Sequence, residues 1–203
     1  MSPDPRFREA AAAWLAAFGA DGVDPDTLDV PFAPTTHKAV LDGALAFGRA
    51  AGRLPAAMRV LAEGEARLQR LRGRLGLGRA DRAGEALPSV VVVERADPLT
   101  LAGRWVPDLV THAGGRPVRV AAGQPPFVLA LDALAAAAPD RVLAKSEDAM
   151  ALGLRDAVGS DRVLVYEGPP LDCPGPDLVD AVEALATLLH PDRFVEPEGV
   201  GGR

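Results

Sequence analysis

Apolar residues follow two spacings along the chain, helical in the first third and alternating short strands and helices after it. Residues 5–19 carry Phe7, Trp14, Leu15 and Phe18 at helical spacing, with Gly19 at the end. A turn region rich in Asp, Gly and Pro follows, and Leu28 to Phe32 reads as a short strand cut off by Pro34. Thr35 or Thr36 is placed to cap the next helix, because a threonine oxygen accepts from an otherwise unpaired first-turn amide. That helix carries Val40, Leu41, Leu45 and Phe47 and stops near Gly52. Pro55 then suits a first helical turn. From there to Leu75 the spacing of Met58, Leu61, Leu68, Leu71 and Leu75 predicts one long helix, with Gly64 at a close contact. Its outer faces hold Arg59, Glu63, Glu65, Arg67, Arg70, Arg72 and Arg74, the ordinary pattern of a solvated helix surface.

Residues 76–88 read as a glycine-rich polar loop; Gly76-Leu77-Gly78 follows a helix instead of a strand and lacks phosphate-loop spacing. Val90 to Val93 is an apolar run of the kind that forms a buried strand. Asp97-Pro98 breaks it and turns the chain out of the sheet. A short helix then presents Trp105, Val106, Leu109 and Val110 on one face, ending at Gly114-Gly115, where glycine takes the left-handed conformation without strain. Further strands are predicted at Pro117–Val120, Arg141–Ala144 and Arg162–Tyr166. Helices are predicted at Val128–Ala138, Glu147–Val158 and Pro176–His190. This alternation predicts a parallel α/β sheet with helices on both faces. Such sheets bind ligands at the carboxyl ends of their strands. Here those ends are Glu94 to Thr100, Ala121 to Phe127, Lys145-Ser146 and Glu167 to Cys173.

Composition alters this picture little. The 203 residues are 48% hydrophobic and 25% charged, as in a globular protein with a real core. A net charge of −6 argues against a nucleic-acid partner. The single Cys173 excludes an internal disulfide framework and any multi-cysteine metal site. The first residues lack the basic start and apolar core of a signal peptide, and Ala10 to Phe18 is too short to span a membrane, so the chain as written reads as cytoplasmic.

Candidate chemistry is sparse. His37, His112 and His190 are far apart and lack metal-ligand spacing. No nucleophile elbow, Ser-His-Asp order, paired-carboxylate motif or dinucleotide fingerprint occurs, so no enzymatic activity and no cofactor is expected. Asp97, Gln124 and Lys145 lie at strand ends and are candidate pocket groups by position. Arg104 offers bidentate hydrogen bonds to a carboxylate or phosphate, or is a surface arginine. Trp105 offers a stacking face for a flat ligand, or anchors its helix in the core. Cys173, with no histidine near it in sequence, reads as a small buried or edge thiol.

Residues 97–115 also carry a resemblance. Asp97, Pro98, Ala102, Gly103, Trp105, Val106, Pro107, Asp108, Leu109, Ala113, Gly114 and Gly115 match the opening of the C-terminal lobe in cobalamin-type solute-binding proteins of ABC importers, the helical-backbone class III group. Thr100 stands where that pattern has an aromatic residue, and Arg104 where it has a histidine. Asp132-x-Leu134 with Pro139-Asp140 resembles a later family helix. Pro174-Gly175-Pro176 through His190-Pro191 and Phe194 resembles the terminal one, although Cys173 and Asp177 replace its flanking arginines.

The resemblance implies two α/β lobes joined by one long helix. Residues 1–54 would be a reduced N-terminal remnant resembling only the last strand–helix units of that lobe. Residues 55–76 would be the backbone helix, 88–195 the C-terminal lobe and 196–203 a disordered tail. It implies non-catalytic binding of a corrinoid such as cobalamin, or a related metal chelate, by Asp97, Thr100, Arg104, Trp105, Gln124, Phe127 and Lys145. Asp132 would dock onto an ABC permease. Family members work outside the inner membrane, in conflict with the cytoplasmic reading. With half of the inter-lobe cleft missing, the exposed face would be apolar and covered by self-association. The alternative is a truncated intracellular interaction or structural module that no longer binds solute.

Overall fold

The computed structural model describes residues 4–78, 86–147 and 153–194. Ser89–Arg95 forms β1, and period-two alternation sorts its valines between two layers. Val90 and Val92 face one layer, while Val91 and Val93 face the other. Thr100–Leu101 is β2, Arg116–Pro117 β3, Phe127–Val128 β4, Arg141–Ala144 β5 and Val163–Val165 β6. The sheet runs β4-β2-β1-β5-β6, with β3 beside the start of β1. β1, β5, β6 and β3 are parallel, with Val91 opposite Val142 and Leu143 opposite Leu164.

The expected parallel sheet is therefore extended by an antiparallel pair. After the cis Asp97–Pro98 bond the chain folds back, so β2 pairs antiparallel with β1 and β4 antiparallel with β2. Two expected boundaries change as a result. Val128 belongs to β4, and the helix after it, α5, is confined to Leu131–Ala137. The strand expected over 117–120 shrinks to β3, which ends before Arg119, a residue in the left-handed region at φ 74°.

Helices cover both faces. Pro5–Ala17 is α1, His37–Ala50 α2, Leu54–Leu75 α3, Val106–His112 α4, Leu154–Val158 α6 and Leu178–Leu189 α7. On one face α3, α4 and α7 close over Val90, Leu143 and Tyr166, with Trp14 and Phe18 of the α1 region in the same apolar cluster. On the other face Leu134 of α5 and Leu154 and Val158 of α6 pack on Val91, Val93, Val142 and Val163. Of the helix expected at 147–158, Leu154–Val158 is α6, while residues 148–152 lie outside the described residues, as does the expected 196–203 tail.

The long helix α3 has 22 residues, about 33 Å at 1.5 Å per residue. Its buried stripe runs through Ala57, Leu68, Leu71 and Leu75, and Gly64 lies where a Cβ would meet Val179 of α7 at 3.3 Å. Met58, expected on that stripe, is 58% exposed; Ala57 is the buried residue of that turn. No helix among the described residues is long and apolar enough to cross a membrane.

The N-terminal portion departs furthest from expectation. Residues 28–32 form no strand; Pro25–Thr27 is a 3-10 turn and the chain continues irregularly to α2. Pro31 and Pro34 lack the N–H groups a ladder needs, and Asp29 has a positive φ of 48°. Phe32 is held instead by edge-on contacts with Phe7 and Phe47, at centroid distances of 6.2 and 5.3 Å. As expected, Thr36 caps α2 by accepting from Ala39 N–H at 3.1 Å. Asp108 of α4 accepts from His37 N–H at 2.8 Å, so a second unpaired amide is satisfied from the sheet-bearing part of the molecule.

Candidate binding cavity at the carboxyl end of the sheet

Parallel strands leave their carboxyl ends on one edge, where side chains of successive loops converge. Here β1, β5 and β6 end around a cavity of about 250 Å³. Val92, Val106, Leu143, Tyr166 and Leu171 supply its apolar wall. Glu94, Lys145, Glu167 and Asp172 supply its charges, three carboxylates and one ammonium. Tyr166 is 7% exposed and its hydroxyl donates to Pro169 O at 2.8 Å. Burial pushes that phenol well above its ordinary range, so it stays neutral.

Two arginines stand beside this edge. Arg6, in the first turn of α1, is oriented by Asp4, which accepts from Nε at 3.2 Å and Nη2 at 2.9 Å. Its remaining nitrogen, Nη1, lies 3.6 Å from Glu94 and 3.4 Å from Asp172. Bonding to Arg6 holds the Asp4 carboxyl below its ordinary value, with the nearby Arg104 adding to the effect. Arg104 itself has a positive φ of 54° and its guanidinium lies over Phe7 at 5.8 Å and Trp105 at 5.9 Å.

Of the seven ligand residues expected from sequence, Lys145 alone lines the cavity. Trp105 is 1% exposed; its indole donates to Leu171 O at 2.8 Å and its ring packs against Phe7. It supports the cavity wall from behind instead of offering a stacking face. Thr100 is buried and donates to Pro98 O at 2.7 Å. Asp97 is exposed on the turn between β1 and β2, on the far side of β1 from β5. Gln124 lies in the loop that follows β3, and Phe127 in β4, on the far side of β1 from β5. Gln124 O instead accepts from Arg104 N–H at 2.6 Å, and only glycine fits at 103, where a Cβ would stand 2.5 Å from Gln124 O. Asp132 is exposed in the first turn of α5, away from the cavity.

Glu94, Glu167 and Asp172 lie within strand-end segments that the alternation of elements marked, but no residue-level pattern singled them out. Arg6 carried no signal beyond its place at a helix start.

Elsewhere, His37 and His112 meet edge to face at 5.0 Å between α2 and α4. Burial lowers both, His37 to about 4, and His112 Nδ1 is buried without a hydrogen-bond partner among the described residues. Burial raises the Cys173 thiol, which opposes nucleophilic use. No cluster of three or more His, Cys, Asp or Glu that could hold a metal ion occurs among the described residues.

The fold, a central sheet flanked by helices with one long helix, is shared with solved structures of periplasmic binding proteins. A periplasmic heme-binding protein from Pseudomonas aeruginosa superposes with a TM-score of 0.64 at 22% identity, covering 81% of this chain and 63% of that one. The periplasmic vitamin B12-binding protein BtuF of Vibrio cholerae gives 0.61 at 17%, covering 80% and 65%. An ABC transporter substrate-binding protein from Listeria monocytogenes gives 0.60 at 16%, covering 77% and 66%. The chain thus spans less than two thirds of each, and at these identities the likeness defines the fold and not the ligand. No protein-family model matches the sequence. No curated protein matches it either.

Proposed function

We propose that the chain is a solute-binding module of the ABC-importer type that takes a metal chelate of the corrinoid class without catalysis. The observation that carries this reading is the cavity itself, set at the carboxyl ends of β1, β5 and β6 in a fold shared with periplasmic binding proteins. Its apolar wall suits the edge of a macrocycle, and a chelate brings its own metal, so no protein metal cluster is needed. At about 250 Å³ the cavity is smaller than the roughly 300–1,000 Å³ that encloses a drug-sized ligand, so a corrinoid would enter by one edge. Exposed Asp132 is the group we assign to permease contact, and the exposed Phe127 and Val128 on edge strand β4 are the surface for any self-association.

Titration of the purified protein with aquocobalamin, followed by visible absorbance and by heat, tests the proposal. Saturable one-to-one binding is expected. Absence of binding at high micromolar ligand contradicts the corrinoid assignment.

A second reading, an interaction module that takes no solute, is favoured by the position of α1. Phe7 packs on Trp105, Trp14 donates to Pro174 O at 2.8 Å, and Arg6 reaches Glu94 and Asp172, so this chain's own first helix lies against the cavity edge. On that reading aquocobalamin does not bind, with or without the Arg6 side chain.

A further inference from the structure

We infer that the guanidinium of Arg6 occupies the place of a ligand's cationic group, which makes the first turn of α1 a strap over the cavity and gives the ligand a cation beside an apolar body. The inference rests on the cavity being a ligand site, though not on the ligand being a corrinoid.

The charges around the cavity are unequal. Its described lining holds three carboxylates, Glu94, Glu167 and Asp172, against the single ammonium of Lys145. An anionic ligand would face repulsion on entry, and a cationic one attraction that the low-dielectric apolar wall strengthens. Arg6 is where such a cation would sit, with Nη1 3.6 Å from Glu94 and 3.4 Å from Asp172. Glu94 and Asp172 both line the cavity and come from different strand ends, so the guanidinium joins its two sides.

The contacts of Arg6 are also graded in a way that permits exchange. Its bonds to Asp4, two residues away, are the short ones, 2.9 and 3.2 Å, and Asp4 also caps α1 by accepting from Arg6 N–H at 3.1 Å. The contacts to the cavity carboxylates are longer, and the Arg6, Glu94 and Asp172 side chains are 33%, 21% and 38% exposed. Ion pairs this open to water are weak, so a ligand cation with an apolar body in the cavity can replace them. Arg6 then keeps its pairing with Asp4 and is not left as an unpaired charge.

A matched pair of small probes tests this, phenethylamine and 3-phenylpropionate, which differ chiefly in the sign of one charge. Chemical-shift titrations of the full chain and of Arg6→Ala are followed at the amides of Glu94, Lys145 and Glu167. The amine should bind Arg6→Ala roughly three- to tenfold tighter than the unaltered chain, the expected effect of removing two weak competing pairs. That gap should narrow at high salt, and the acid should bind neither form. In the absence of probe, Arg6→Ala should speed amide exchange in the first turns of α1 and leave β5 unchanged. Equal binding of the amine by both forms, tighter binding of the acid, or no binding of the amine by Arg6→Ala at tens of millimolar overturns the inference. Failure of aquocobalamin to bind while the amine result holds removes the corrinoid and leaves the strap.

Discussion

The sheet and the N-terminal helices are held by different physics. From β1 to α7 the sheet lies between two apolar layers, and residues such as Leu143, Val142 and Leu185 are fully buried in them. Each contact is small and non-directional, so stability is spread over the whole lobe. Residues 4–50 have a smaller core of their own, Ala11, Leu15, Ala20 and Phe47, and join the lobe both through Trp14, Phe18, Val40 and Ala44, which share its apolar cluster, and through a few directional contacts. These are the Trp14 indole on Pro174, the Asp108 carboxylate on the first amide of α2, the facing His37 and His112, and Arg6 at the cavity. The directional contacts can be removed one at a time without touching the sheet.

The largest expected effect breaks the distributed half. Leu143→Ala removes a fully buried side chain between the layers and should cost about 2–5 kcal/mol, lowering Tm by roughly 5–20 °C. Calorimetry should show that loss for the lobe as a unit. An unchanged Tm would mean that the sheet is not the stabilising core.

Acid acts on the joint. Burial holds His37 to about 4, against an unfolded value near 6.5, so its neutral form favours the folded state and that stability is present above pH 6.5. It is lost as pH falls from 6.5 towards 4, by at most about 3 kcal/mol. His112, lowered by burial and then by Arg72, adds in the same direction; after burial its charge also opposes protonation of His37, while Asp108 and Glu65 oppose both shifts. Denaturant unfolding at pH 7.5 and 4.5 should show this loss, and His37→Gln should flatten it. Equal pH dependence in both proteins would place the acid sensitivity elsewhere.

Trp14→Phe sharpens the contrast further. An aromatic ring is kept, but the pyrrole half of the indole is lost and the carbonyl of Pro174 loses its donor, at a cost of about 1–3 kcal/mol for the bond. Hydrogen exchange should accelerate in α1 and not in β5 or β6. The smallest effect is expected at Arg67, which bonds Glu183 at 2.7 Å and also Asp180, tying α3 to α7 through partly exposed groups. Arg67→Ala should change stability by less than about 1 kcal/mol, read from the denaturant midpoint.

The same division explains what was legible in the sequence. Val90 to Val93 and Arg141 to Ala144 announce themselves as short apolar runs, and the 54–75 helix by its period, because burial leaves both patterns visible in a string of residues. The hairpin that adds β2 and β4 was not visible, since two-residue strands have no period. Residues 28–32 misled, because Leu28, Val30 and Phe32 alternate like a strand while Pro31 and Pro34 forbid the ladder. The cavity was legible as a place, the carboxyl ends of strands, but not as residues. Trp105 reads as an aromatic at the start of a short helix, open to stacking or to the core, whereas its neighbours Phe7 and Leu171, which bury it, are distant in sequence. Arg6 and its partners Glu94 and Asp172 come together only through the fold.

The most direct test of the cavity as a solute site is residue-by-residue mapping of aquocobalamin binding by amide chemical shifts. Shifts concentrated at Glu94, Lys145 and the 166–172 loop, saturating at one equivalent, are the predicted result. Shifts confined to β4 and α5 around Phe127 and Asp132, or none at saturating ligand, would contradict it.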